Sequence, residues 1–458
     1  MSARRRGLDR RAFLSLTGAA LGAAPFHALA CRHAGALRPD VAVPSADGQG
    51  GLAPVRDETT GLPLLHLPSG FRYLSFGWIG DPIADGLATP GLHDGMAAFA
   101  AGGSRVRLVR NHEIRTGGAF AARPLYDPNG GGGTTTIEFD TATGAAGRAW
   151  VSLAGTAVNC AGGMTPWGSW LTCEETVLGP GAAAAYERPH GYIFEVPADG
   201  TASAEPYRAM GRFVHEAVAI DPDTGIVYET EDQVTAGVYR FLPVEAGNLA
   251  AGGRLEMLAI DRAPGAELHA GQAVGVWRPV TWVPIDDPDP ADIGPQSVYA
   301  QGRRAGGAEF RRLEGIWYGD GRIYIVSTTG GDAGVGQVWE YEPSGERLRL
   351  LFESPARDVL ELPDNLCVSP HGGLMLCEDG LRENFVRWLA PDGRIFPFAR
   401  NNVVLNGERN GIVGDFRARE FAGAAYSPDG RWLFVNVQMP GMTFAITGPW
   451  DRLTRSIA

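Results

Sequence analysis

The chain has 458 residues, with 40 Arg plus Lys against 52 Asp plus Glu, a formal charge of −12. Its 44% hydrophobic and 20% charged residues exclude disorder and allow a large core, and the acidic balance argues against nucleic acid or an anionic membrane as partner. No residue is Lys, which excludes Schiff-base, pyridoxal-phosphate and phosphate-loop lysines and leaves any anion to Arg, metal or backbone amides.

At the N-terminus a basic start leads into an apolar run from Ala12 to Ala24 and a small-residue site at Ala28-Leu29-Ala30. The run is too short to span a membrane, so residues 1–30 are expected to be a signal peptide rather than an anchor. Arg10-Arg11-Ala12-Phe13-Leu14 resembles the twin-arginine export motif, which implies the twin-arginine machinery as a partner and a periplasmic or secreted protein. An ordinary secretory signal carrying two arginines is the alternative. Cleavage after Ala30 would leave Cys31 first, which also permits a lipoprotein, although Ala28 suits that signal poorly. The remaining Cys160, Cys173, Cys367 and Cys377 allow three disulfide pairings or a metal thiolate. Residues 31–60, rich in Pro, Gly and Ala, are expected to be a linker or extended arm, and residues 61–458 a single domain.

No helical period runs for long after residue 60. Short β-rich runs alternate instead with turn signals at 197–200, 221–225, 320–321, 391–393 and 428–430, where Asp and Gly tolerate positive φ. Six stretches share one grammar: 93–113, 159–175, 215–232, 314–332, 364–380 and 420–438. Each opens on a polar or metal-capable residue, runs through an apolar strand, a turn and a second apolar strand, and closes on a polar residue. Repeated strand pairs of this kind predict an all-β fold, a six-bladed β-propeller with long insertions between strands. A β-sandwich is the alternative, but it would not explain why polar residues recur at the same strand ends.

In a propeller those ends meet at one mouth of the central channel. Asp94, Glu113, Cys160, Glu174, Glu175, Glu216, Glu229, Glu231, Asp232, Glu314, Asp332, Asp364, Glu378, Asp379 and Glu420 would then converge. Carboxylates so crowded must stay protonated or hold cations. Oxygen ligands suit Ca²⁺ or a trivalent metal, and one thiolate among them suits a transition ion such as iron. Alternation through Trp170–Glu174 puts Thr172 and Glu174 on one face, taken here as the channel face. Cys173, Cys367 and Cys377 lie inside apolar strands and read as core residues, whereas Cys160 lies in a polar loop. His112 and His215 could be ligands or could orient the Glu beside them. Arg312 lies two residues before Glu314, on the same face of a strand, and Arg110 is similarly offset from Glu113. Both are candidate anion-binding residues.

The runs Asp94-Gly-Met-Ala-Ala-Phe99, Asn111-His-Glu113, Asn159-Cys-Ala-Gly-Gly-Met through Glu175, Pro363-Asp-Asn-Leu366 and Leu433-Phe-Val-Asn-Val-Gln438-Met-Pro-Gly441 resemble the PhoX-type alkaline phosphatases over about residues 60–445. The resemblance implies a secreted or periplasmic six-bladed propeller that hydrolyses small phosphate esters at an iron (Fe³⁺) and calcium site. It implies that Cys160 is an iron thiolate, that Glu216 and Glu314 are iron carboxylates, that Asp364 belongs to the calcium-rich part, and that Glu420 is a further ligand. Arg312 would be the catalytic residue that touches the phosphate. With Glu174 as a further metal candidate and Arg110 as a second substrate contact, these form the expected site of a monomeric enzyme. A calcium-dependent lactonase-like propeller hydrolase and a non-catalytic secreted binding propeller are the other readings.

Overall fold

The computed structural model describes residues 51–181 and 185–455; the expected export signal and most of the expected arm lie outside them. The described chain is built almost wholly of antiparallel strands. Six innermost strands, His93–Ala100, Asn159–Met164, His215–Ile220, Leu313–Gly319, Pro363–Val368 and Phe421–Tyr426, each pack against the next, and the last packs against the first. A closed ring around one axis results, the arrangement of a β-propeller. Each inner strand heads a radial sheet, called here the first to the sixth unit in chain order.

The units are unequal. The first has four strands, and the second has three. The third and fourth share one nine-stranded sheet, because Arg278–Pro284 pairs with both Gly253–Ile260 and Arg347–Glu353. A count of separate four-stranded sheets therefore finds fewer members than a count of inner strands. The Asp-Gly signals act as hairpin turns. Asp320 and Gly321 both have positive φ (51° and 73°) and form the two-residue link between Gly319 and Arg322, the conformation that matches strand twist. The turns at 223–225 and 428–430 likewise join neighbouring antiparallel strands.

The two chain ends close the ring. Arg72–Phe76 pairs with Met442–Thr447 as the outer strand of the sixth unit, so one sheet contains both the start and the end of the fold. The arm is also engaged: Ala53–Val55 pairs with Leu65–Leu67, which pairs with Ile395–Asn401 on the outside of the fifth unit. Asp57 then accepts from the amide and hydroxyl of Ser75 at 2.7 and 2.6 Å. Residues 53–60 thus belong to the packed fold rather than to a free linker.

The core is divided among the six gaps between units. Ala97, Val109 and Leu153 face Trp170, Tyr192 and Phe194 between the first and second units. Leu171, Cys173 and Ile193 face Val218, Val227 and Tyr239 in the next gap. Cys367 and Cys377 lie with Trp388, Phe398 and Phe444 between the fifth and sixth. Burial of each such aromatic or aliphatic side chain stabilises by about 1.5–3 kcal/mol, so the ring is held by packing between sheets. All four described cysteines are free thiols, and Cys160 forms no disulfide with Cys173.

Candidate metal centre

One irregularity recurs at the same place in every unit. The ladder between the inner and second strands slips near the channel mouth, between His93 and Met96, Asn159 and Gly162, His215 and Val218, Leu313 and Ile316, Pro363 and Leu366, and Ala422 and Ala425. Such a bulge sets two residues against one, breaks the alternation of faces and re-aims a side chain. In five units the second residue of the strand lies within the slip: Asp94, Cys160, Glu216, Glu314 and Asp364. Bulky residues with positive φ lead into four of these strands: Leu92, Val158, Arg312 and Leu362. Strained backbone of this kind persists only where surrounding structure holds it.

A second tier sits directly after each second strand. The amides of Glu113, Glu175, Asp232, Thr328, Asp379 and Gln438 donate to the carbonyls of Leu92, Val158, Val214, Arg312, Leu362 and Glu420, the residues just before the six inner strands. The two tiers meet in four overlapping groups whose ligand atoms lie within 4.8 Å of one another. These are Cys160, Glu175 and Glu216; Glu216, Glu314 and Asp364; Asp364, Asp379 and Glu420; and Asp94, Glu113 and Glu420. Cys160 Sγ donates to Glu216 Oε1 at 3.2 Å.

The electrostatics are those of a cation site. Burial, reinforced by Glu314 and Asp364, raises the Glu216 carboxyl well above the usual range. Burial and then Asp232 do the same for Glu314, burial and Asp379 for Asp364, and burial and Asp379 for Glu420. Burial and Asp94 push Glu113 up to about 7. Burial, then Asp94 and Glu216, push the Cys160 thiol up, so that a metal would have to displace its proton. Glu216 Oε2 and Asp94 Oδ1 are buried without a hydrogen-bond partner, which leaves them able to ligate a cation. The thiol beside two carboxylates suits a transition ion, and the two all-carboxylate groups around Glu420 suit calcium.

Two guanidiniums balance part of this charge. Arg312 forks onto Asp232 at 3.0 and 2.8 Å and also reaches Glu314 Oε1 at 2.7 Å. Arg115, missed in the sequence, bridges Glu113 and Glu175 from an exposed position, with Glu175 Oε2 at 3.0 Å. Gln438 caps the opposite side by donating to Asp94 Oδ2 at 3.2 Å and to Glu113. The available signal for Arg115, Glu175 and Gln438 was positional: the latter two follow a second strand directly, and Arg115 comes two residues after Glu113.

The structure therefore brings together Cys160, Glu216, Glu314, Asp364, Glu420 and Arg312, but not Glu174 or Arg110. Glu174 is fully buried on the other face of its strand, where it accepts from His190 Nδ1 at 2.6 Å and from the amides of Ala157, Gly191 and Tyr192. Its neighbour Glu175 enters the cluster instead. Glu231 and Glu378 occupy the equivalent inward position and likewise hold loop amides. Arg110 is buried between the first and sixth units, where it donates to Gly77 O, Thr443 Oγ1 and Thr135 Oγ1. No carboxylate of the cluster touches it, and only 1% of it is exposed. His112 spends both ring nitrogens on Gly91 O and Thr135 Oγ1. His215 donates from Nε2 to Gly211 O, and burial pushes it down to about 3, so it is neutral.

The profile of the family described as alkaline phosphatase PhoX matches residues 50–441. Among solved structures, Pseudomonas fluorescens PhoX in complex with vanadate, a transition state analogue, is 18% identical, with a TM-score of 0.63 over 87% of this chain and 97% of that one. A gluconolactonase, XC5397 from Xanthomonas campestris, is 13% identical, with a TM-score of 0.43 over 88% of this chain and 98% of its own. No curated protein matches the sequence.

Proposed function

The chain belongs to the alkaline phosphatase PhoX family, and on that footing we propose that it is an exported, metal-dependent phosphatase acting on small phosphate esters. The observation that carries the reading is the junction of a thiol group with carboxylate groups through a shared Glu216, with Arg312 beside Glu314. A lactonase-like calcium site has no use for the Cys160 thiol in that junction.

Cys160, Glu175, Glu216 and Glu314 would hold iron, and Asp364, Asp379 and Glu420 would hold calcium. When bound, these metals would supply Lewis-acid polarisation of the phosphoryl oxygens and a nucleophile at neutral pH. The protein's own part is to place the ester. Arg312 is held by Asp232, with its side chain about one-third exposed at 34%, so it can contact a phosphoryl oxygen without first being ordered. Its planar fork would stabilise charge that develops on the equatorial oxygens. Arg115, more exposed on the rim, would attract the anionic ester toward an otherwise acidic mouth.

The twin-arginine resemblance supports export into the periplasm, and no helix among the described residues is long and apolar enough to cross a membrane. Elemental analysis of the purified, exported protein, beside hydrolysis of p-nitrophenyl phosphate before and after chelation, tests the function. Bound iron and calcium with activity lost on chelation are expected. A folded protein that carries neither metal, or whose activity survives complete chelation, would overturn the reading.

A further inference from the structure

Each inner-strand bulge frees main-chain groups from the ladder, and buried ones need other partners. At four of the six junctions a side chain of the unit before supplies the partner. Thr230, on the second strand of the third unit, donates to Glu314 O at 2.6 Å. Asn436 of the sixth unit donates to Asp94 O at 2.6 Å. Asn111 of the first donates to Cys160 O and Ala161 O at 3.0 and 2.8 Å. Thr328, just after the second strand of the fourth, donates to Pro363 O at 2.6 Å, one residue before Asp364.

Three of these acceptors are carbonyls of residues whose own side chains stand in the cluster: Glu314, Asp94 and Cys160. We infer that Thr230, Asn436 and Asn111 are positioning residues, each fixing the main chain of a metal-cluster residue in the following unit. The inference rests on the metal reading above. The ligands are thus aligned by hydrogen bonds handed forward around the ring, and Thr230 Oγ1 also accepts from Ala217 N at 3.1 Å, which ties the bulge of its own unit to that of the next. The inner strands already touch main chain to main chain. A Cβ on Gly95 would lie 2.5 Å from Ala161 Cα, one on Gly315 2.9 Å from Asp364 O, and one on Gly423 2.4 Å from Asp94 O. With spacing set by that contact, the forward hydrogen bond fixes the rotation of the peptide and so the aim of its side chain.

Thr230→Val keeps the shape and removes the hydroxyl, both the donor to Glu314 O and the acceptor of the Ala217 amide. The protein as purified is assayed for bound iron and calcium by elemental analysis and for the rate at which EDTA strips them, with the melting temperature as the record of folding. Stripping on the order of tenfold faster is expected, as for other groups that orient ligands from behind. Thr230→Ser should restore the wild-type rate. Thr165→Val is the control, because Thr165 makes an equally buried hydroxyl bond to Ser169 Oγ at 2.8 Å in the hairpin at the far end of the second unit. It should lose stability and keep its metals. If Thr230→Val does not fold, Asn436→Asp asks the same question at Asp94 and should show the same loss. Wild-type metal content and stripping rate in the folded Thr230 variant would overturn the inference, as would equal metal loss in the Thr165 variant. A wild type with no bound cation is a different result, and it would overturn the metal reading itself.

Discussion

Arg312 and Asp232 form a two-pronged ion pair, Nε at 3.0 Å and a terminal nitrogen at 2.8 Å, which turns the guanidinium toward Glu314 at the channel mouth. Arg312→Lys keeps the charge and loses the fork. Its kcat/KM toward p-nitrophenyl phosphate should fall by roughly 10²–10³-fold, the usual loss of one well-placed charge-stabilising donor. Metal content should stay at the wild-type level. A change of less than about threefold would remove Arg312 from the reaction.

Cys160→Ser exchanges the cluster's sulfur for a weaker ligand. If iron sits there, the variant should lose the visible absorption of a thiolate–iron(III) pair, most of its iron and most of its activity. The inter-unit packing should keep its melting temperature within a few degrees of wild type. Retained iron and colour would place the metal elsewhere.

Glu174→Gln should behave in the opposite way. It breaks a fully buried contact with His190 and weakens the hold on three loop amides, at a cost of roughly 3–5 kcal/mol. The metals should remain. His190 adds a pH signature: burial works against its charge, but Glu174 and Asp127 outweigh this and raise its pKa above 6.5. A raised histidine stabilises fully below its unfolded value and loses that contribution as pH rises through the folded one. Wild-type stability should therefore show a declining component above pH 6.5 that Glu174→Gln lacks. Parallel melting curves against pH for the two proteins would refute the pair.

Chain shortening distinguishes the arm from the closure. A protein that begins at residue 51 should fold as the full chain does. One that begins at residue 78 lacks Arg72–Phe76, leaves Met442–Thr447 an open edge in the sixth sheet, and should unfold at much lower denaturant with lost cooperativity. Equal midpoints would mean that the ring does not need its closing strand.

Replacing Arg10 and Arg11 with lysines should leave precursor in the cytoplasm, as read by cell fractionation. Unchanged export would point to the general secretory route.

Much of this architecture was legible because it repeats. Six strand–turn–strand stretches with polar ends predict a ring, and that ring brings Cys160, Glu216, Glu314, Asp364 and Glu420 to one place. The finer choice between Glu174 and Glu175 was not legible. Strict alternation favours Glu174, but the strand ends there and the channel takes the next residue, as it does at Glu113, Asp232 and Asp379. A shift of one residue exchanges the two faces of a strand, and nothing in the local pattern marks where pairing stops. Arg110 misled for a related reason. Its partners, Thr443 and Gly77, lie hundreds and tens of residues away, so no local offset could show that the side chain is consumed between two sheets.

The pairing of Arg72–Phe76 with Met442–Thr447 has a bearing on timing. The strand made early in synthesis has to wait for one made almost last, so the sixth sheet cannot be completed on a nascent chain. Until then the apolar side chains of the waiting strand, Tyr73 on one face and Leu74 and Phe76 on the other, stay uncovered, a hazard for aggregation. The waiting strand also lies only some forty residues beyond the proposed export signal, residues 1–30, so on that reading a pathway that threads unfolded chain would carry it across first and part it from its partner. A pathway that accepts only finished protein would let the ends meet first, with the mouth already assembled before any transport.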